Sequence, residues 1–344
     1  MNQFGAKVTK ELEKQYSISP NWKNGKFENL VETKMDMSLQ TIPKLLYKQF
    51  FKSQGRMPRK PLDIIAFNKE AFLAPSQEAK MIWFGHSVVL MRLNNKTILI
   101  DPMLGPNASP IAPFATKRFS ENSLDLIDQF PDIDLILMTH DHYDHLDLDS
   151  IRNLKNKTNH FYVPLGLKRH LLKWGVESAR ITEFDWWEKQ SFEGIDITYT
   201  PTRHFTGRGL TDRAKSLWGG WVMKTKSQNI WFSGDGGFGA HFKEIGDALG
   251  PFDLAFMECG QYNENWHAIH MYPEESVQAT LDANVKRALP VHWAGFALAQ
   301  HHWKEPITRF VKEAHKKKLD IFTPQIGEMF DAHCISGNWW ESLD

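Results

Sequence analysis

Nine residues, Thr139 to Asp147 in the order THDHYDHLD, hold three histidines and three aspartates directly after the apolar run DLILM. In an extended segment side chains i and i+2 leave on the same side, so His140 and His142 can hold one cation together from the end of a strand. Asp144 and His145 follow a turn later, where the chain swings into the helical pattern LDLDSIRNL, and can face a second cation beside the first. Imidazole nitrogen with carboxylate oxygen suits Zn²⁺, and also Mn²⁺ or Fe. The plain alternative is a capping cluster, with Asp147 the N-cap of the helix that follows.

A metal centre draws ligands from elsewhere in the chain, and three side chains stand at equivalent places. His204 ends the pattern TYTPTRHF, Asp235 ends NIWFSGD and His292 ends RALPVHW, each after an apolar run whose end delivers side chains to a sheet rim. Read singly, each is a hydrogen-bonded strand-end residue or, in SGDGG, an ordinary turn. With the cluster they make a set of seven: His140, His142, Asp144, His145, His204, Asp235 and His292.

The elements that must position these residues alternate along the chain. KMIWFG, SVVLMRL and KTILIDP are short β-rich runs divided by a Gly and an Asn-Asn turn, the start of a meandering sheet. NSLDLIDQF predicts a helix capped by Asn122 or Ser123, DLILMTH a buried strand, LDLDSIRNL a helix, HFYVP a strand and LGLKRHLLKW a helix. Residues 181–232 return to strand patterns. Beyond them come a helix near 240–248, the strand FDLAFMECG, a helix opened by Pro273-Glu274-Glu275, the strand RALPVHW and a helix through PITRFVKEAHKKK. Two runs of strands, each followed by helices, predict a layered α/β fold of two sheets face to face with helices outside. Residues 1–76 are polar and punctuated by Pro43, Pro58, Pro61 and Pro75; they read as an N-terminal extension of turns and short helices on a domain spanning 77–344.

Composition bounds the setting. A chain of 344 residues fits one large α/β unit with an appendage. Its 41 basic residues balance 41 acidic ones, so no global field draws nucleic acid and none is expected as a partner. Two cysteines, Cys259 and Cys334, without a CxxC pair argue against a disulfide framework or a cysteine-built zinc site and fit a reducing compartment. With no signal-like start and no run of about 18 apolar residues, the chain reads as cytoplasmic. Thirteen Trp and 23 Phe predict a large aromatic core with an apolar pocket lined from it.

THDHYDHLD resembles the signature of the metallo-β-lactamase fold hydrolases. The stretches WFGHSVVLMRLNNKTILIDPML, PTRHFTGRGLTDRAKSLWGGWV, FSGDGGFGAHFKEIGDALGPFDLAFMECGQY and HMYPEESVQATLDANVKRALPVHWAGFALA narrow the likeness, which runs from Met81 to Glu313. They are similar to the branch containing N-acyl-phosphatidylethanolamine-hydrolysing phospholipase D and its bacterial relatives. The resemblance implies a four-layer αβ/βα sandwich with a dinuclear site at one edge of its sheets. It implies His140, His142 and His204 on one Zn²⁺, Asp144, His145 and His292 on the other, and Asp235 between them. The pair would turn a water into hydroxide near neutral pH for attack on phosphorus, with Asp144, Asp235 and His270 as the catalytic set. His270, in HAIHMYPEE, would give a proton to the leaving group or bind a phosphate oxygen, or else pack at a helix start; Ile269 stands beside it where better-known members carry glutamine. Asp101 and Asp147 would orient ligands, or serve as turn and cap.

Lys117, Arg118, Arg203, Arg208 and Arg213 are candidates to grip a phosphate, and Tyr262, Trp218 and Trp266 to line the pocket; solvated surface or core packing is the alternative for each. Glu258, in an ECG run where relatives tend to have Pro-Ile-Gly, has no role from sequence. Ile42, Leu45, Leu46 and Phe50 fall at helical spacing amid Lys44, Lys48, Lys52, Arg56, Arg59 and Lys60. Residues 40–60 therefore read as a peripheral contact with an anionic inner membrane surface or as a helix docked on the sandwich. Three functions remain in view: a dinuclear phosphodiesterase acting on a phospholipid such as an N-acyl-phosphatidylethanolamine or a related diester, a lactonase or carboxylic-ester hydrolase, and a metal-binding protein without hydrolytic activity.

Overall fold

A computed structural model describes residues 2–36, 41, 43, 47, 54–109, 116–335 and 337–343. Its sheets grow out of short apolar runs whose side chains alternate between two cores. In KTILI, Ile98 and Ile100 enter one core and Leu99 the other; in IDLIL, Leu135 and Leu137 join the first, Ile133 and Ile136 the second. A strand covered on both faces has no solvent side, which is why these runs are continuously apolar. Burying each such side chain contributes about 1.5–3 kcal/mol.

A hairpin of β1 (Trp22–Lys23) and β2 (Lys26–Phe27) precedes the first large sheet. That sheet comprises β3 (Lys80–Trp83), β4 (Val89–Leu93), β5 (Lys96–Ile100), β6 (Ile133–Leu137), β7 (Thr158–Pro164) and β8 (Ile181–Phe184). The second comprises β9 (Lys189–Phe192), β10 (Ile195–Pro201), β11 (Gly219–Lys224), β12 (Asn229–Phe232), β13 (Leu254–Glu258), β14 (Arg287–Val291) and β15 (Asp320–Ile321), in sequence order across the sheet. A last strand, β16 (Met329–Phe330), returns to pair with β3 and makes the first sheet seven-stranded.

Helices α1 (Lys10–Tyr16) and α2 (Lys69–Leu73) belong to the N-terminal residues. Leu126 and Ile127 of α3 (Leu126–Gln129), Leu148, Ile151 and Leu154 of α4 (Leu148–Leu154) and Leu171 of α5 (Lys168–Lys173) cover the outer face of the first sheet. Phe242 and Ile245 of α6 (His241–Leu249), Val277 of α7 (Pro273–Asp282) and Ile307, Phe310 and Ala314 of α8 (Glu305–Lys317) pack on the second. The result is the four-layer αβ/βα sandwich.

Strand direction decides where side chains converge. β5 and β6 are parallel, and so are β12, β13 and β14. β10 and β12 are each antiparallel to β11, hence parallel to one another. Within each sheet these strands therefore end at one edge, and the seven residues follow four of them, β6, β10, β12 and β14.

Two local expectations need correction. NSLDLIDQF is not one capped helix: a 3-10 turn over Ser123–Asp125 leads into α3, and Asn122 sits left-handed (φ 54) with no capping hydrogen bond. Asparagine tolerates that conformation, so it turns the chain with its carbonyl accepting from the Asp125 amide and its side chain giving no cap. Most of the amphipathic run in 40–60 lies outside the described residues. Within it, Arg56 is buried and donates to the carbonyls of Ala297 and Ala299, so it is not a solvated charge. Elsewhere in the N-terminal part, Tyr16, Phe27 and Leu62 enter the core, and the carbonyls of Asn2, Gln3 and Ala6 accept from Trp174, Arg208 and Arg169. No helix among the described residues is long and apolar enough to cross a membrane.

Candidate metal centre and active site

Past β6 the chain turns on the His142 carbonyl, which accepts from the amides of His145 and Leu146 and folds the cluster back over the rim. His140 Nε2 comes to 3.0 Å from His142 Nδ1, and His204 Nε2 to 3.2 Å from the same atom. Asp144 Oδ2 lies 3.5 Å from His145 Nε2 and 3.3 Å from His292 Nε2. Asp235 Oδ2 stands between the two groups, 2.9 Å from His292 Nε2, 3.1 Å from His145 Nε2 and 3.9 Å from His140 Nε2. All seven expected residues thus meet in one place.

The electrostatics fit cations. Burial holds His140 and His204 well below the ordinary histidine range and His142 down to about 4, leaving neutral imidazoles with lone pairs. Burial would raise Asp144 and Asp235, but the imidazoles around them, His145 foremost, keep both carboxyls well below the usual range. The same carboxylates, working against burial, push His145 well up and His292 to about 10. Neutral nitrogens facing one another near 3 Å, beside two ionised carboxylates, form a donor set that a pair of divalent cations satisfies.

Neighbouring buried groups orient these side chains. Asp101 accepts from the Thr139 amide at 2.8 Å, from the Thr139 hydroxyl, and from His145 Nδ1 at 2.7 Å, which fixes the tautomer that leaves Nε2 toward the centre. Asp147 does not do this: it accepts from the Ser150 amide and hydroxyl and caps α4, which decides for the cap. His86 escaped sequence reasoning. It is fully buried, bonds Asp144 Oδ2 through Nε2 at 2.8 Å and packs 4.3 Å from the His292 ring. The signal was available, because His86 also follows an apolar run, KMIWF. His86, Asp101 and His292 all hold left-handed backbone (φ 54, 42 and 68), an uncommon conformation that turns each side chain into the site.

The centre opens into a cavity of 610 Å³ lined by Met35, Phe205, Trp266, Ile269 and Leu298, with Arg213, Gln261 and His270 among them. Arg213 stacks on Phe205 at 4.0 Å and is the expected arginine that lines the cavity. The other substrate candidates are placed differently. Arg208 is buried with its guanidinium on the carbonyls of Asp141, Leu146 and Gln3, so it braces the cluster loop. Arg118 is buried on Ser123 and the Phe84 carbonyl, and with exposed Lys117 it lines a separate cavity of 420 Å³. Arg203 donates to Glu32, Thr33 and Phe238. Tyr262 gives its hydroxyl proton to Glu305 and accepts from Arg309, and Trp218 is core, donating to Asn29. Trp266 does line the cavity. Glu258, left open by sequence, is completely buried against His270 Nδ1 and the Gly236 amide. Burial raises its carboxyl above the ordinary range, with His270 opposing.

Residues 96–293 match the family model of a β-lactamase superfamily domain. An uncharacterized protein of Mycobacterium tuberculosis is 33% identical over 318 residues, covering 91% of this chain and 84% of that protein. N-acyl-phosphatidylethanolamine-hydrolyzing phospholipase D 1 of Caenorhabditis elegans is 32% identical over 268 residues, covering 73% of this chain and 75% of its own length. Among solved structures, a metallo hydrolase of the archaeon Ignicoccus hospitalis superposes with a TM-score of 0.57 at 18% identity, over 74% of this chain and 98% of that one.

Proposed function

The chain belongs to the β-lactamase superfamily as a metal-dependent hydrolase, in the branch that holds N-acyl-phosphatidylethanolamine-hydrolysing phospholipase D, and from that premise we propose that it cleaves phosphodiesters bearing an apolar chain. One observation carries the reading: the converging histidines and aspartates open directly into an apolar cavity with a cationic side chain, Arg213, in its wall. An anionic diester with a lipid tail satisfies both features.

In this reading His140, His142 and His204 would hold one cation and Asp144, His145 and His292 the other, with Asp235 placed between the two groups. Two Zn²⁺, with Mn²⁺ or Fe as alternatives, would supply Lewis acidity and an activated water there. The protein's own groups do the rest. Arg213 neutralises and orients the diester, a task its planar guanidinium suits. Met35, Phe205, Trp266, Ile269 and Leu298 take the apolar chain and exclude water, which strengthens each charge interaction at the reacting phosphorus. His270 moves the proton to the departing oxygen.

The test pairs metal content of the purified protein with hydrolysis of bis(p-nitrophenyl) phosphate before and after chelation. Two metals per chain with chelator-sensitive cleavage are expected. Turnover of lactones or carboxylic esters without any phosphodiester would overturn the substrate assignment, and bound metal without hydrolysis of any ester would make the centre a non-catalytic one.

A further inference from the structure

We infer that Glu258 is a positioning residue: its carboxylate fixes the His270 ring with Nδ1–H turned inward and Nε2 presented to the cavity. The catalytic meaning of this arrangement rests on the phosphodiesterase reading, while its geometry does not.

Glu258 closes β13 at the rim where the ligand-bearing strands end, and it is 0% exposed. Oε1 bonds His270 Nδ1 and lies 3.7 Å from His292 Nδ1, and Oε2 accepts from the Gly236 amide at 3.1 Å. Its own amide donates to Ser233 Oγ, and its carbonyl accepts from Ser276 Oγ, so the backbone that carries the carboxylate is itself pinned. One side chain thus ties the turn after Asp235, the end of β14 and the 261–270 loop together.

The direction of the hydrogen bond follows from the inventory of donors. The Glu258 oxygen faces Nδ1, and a carboxylate oxygen accepts, so this contact places the hydrogen on Nδ1; in that tautomer of a neutral ring the lone pair lies on Nε2. His270 lines the cavity, and one of its nitrogens falls within 4.8 Å of the ligand atoms of His204 and Asp235. An Nε2 held there takes a proton from the attacking water and returns it to the leaving oxygen, with the carboxylate stabilising the imidazolium in between; the proton count closes over the cycle. A ring free to flip or to change tautomer would present Nδ1, or Nε2–H, for part of the time and lose that acceptor.

The experiment uses the zinc-loaded full chain labelled with ¹⁵N-histidine, with the His270 resonances assigned by their loss in His270→Ala. The parent should show the Nδ1–H tautomer at His270. Glu258→Gln, whose amide oxygen still accepts, should keep it, and Glu258→Leu should shift it toward Nε2–H or a mixture, with zinc content unchanged. Turnover of an alkyl phosphodiester should fall on the order of 10²-fold in Glu258→Leu, less for a p-nitrophenyl leaving group, and no further in the double variant with His270→Ala. An Nε2–H tautomer in the parent overturns the inference even if Glu258→Leu does not fold. So does an unchanged tautomer in Glu258→Leu, or zinc loss that accounts for the lost activity. A tautomer that responds as expected in a protein cleaving no phosphodiester leaves the positioning role standing and removes the substrate reading instead.

Discussion

Asp101 acts on the centre through a single ring, accepting from His145 Nδ1 while Thr139 fills its other oxygen. Asp101→Asn should weaken metal binding about 10- to 100-fold with the fold retained, as read by competition with a chelator; an unchanged affinity would reduce this aspartate to a turn residue. Arg213→Ala should raise KM for an anionic diester about tenfold with kcat little changed, because a charge-assisted contact made equally in ground and transition states contributes binding and not rate. A fall in kcat at constant KM would place the guanidinium in the chemistry. At this scale the sequence was readable where ligands are contiguous or follow an apolar run. It was silent where a role depends on a partner elsewhere in the chain: Glu258 meets His270 at the cavity wall, and although His86 follows an apolar run, nothing in the sequence joins it to Asp144, 58 positions away. Arg118 and Arg208 show the converse, since charge is visible in a sequence but the carbonyls that absorb it are not.

Elements follow the same division. The central strands of the two sheets were legible because a run buried on both faces is apolar throughout, whereas two-residue β15 and β16, with an exposed residue each, were not; α7 was legible because Pro273 opens it and Glu275 accepts from the Tyr272 amide. The start of α3 was not, because Asn122 caps by sequence preference but here serves as a left-handed turn. Asp147 is the instructive case, a residue near the ligands that works for its helix. Asp147→Ala should cost about 1 kcal/mol of stability through the lost cap, with metal content and turnover of the surviving folded protein unchanged. Denaturant titration alongside metal analysis checks this, and metal loss exceeding the loss of fold would restore the orienting role. Arg208, which ties the carbonyls of Asp141 and Leu146 to Gln3, shows that the cluster loop is braced from outside its own sequence.

Across the whole molecule, buried neutral histidines outside the candidate metal-binding set shape the response to acid. Burial holds His170 at about 3, and burial aided by Arg203 holds His241 at about 4, against 6.5 for a free imidazole. Above pH 6.5 these groups are neutral folded and unfolded and leave stability unaffected. Between 6.5 and 4 the unfolded chain takes protons that the folded chain refuses, so stability falls with pH, by up to about 1.4 kcal/mol per unit for each histidine. His241, whose Nε2 has no hydrogen-bond partner, isolates the effect: His241→Leu should show a shallower decline from pH 6.5 to 4.5 in urea titrations, and parallel curves would refute it. The layered architecture has a different consequence. The chain leaves the first sheet after Phe184 and enters the second at Lys189, with Trp187 exposed between them. Divided there, it would yield one fragment with His140, His142, Asp144 and His145 and another with His204, Asp235, His292 and the returning β16. Neither half holds a complete centre, so recovered hydrolysis would report that the two had found each other, which makes this fold a natural split reporter.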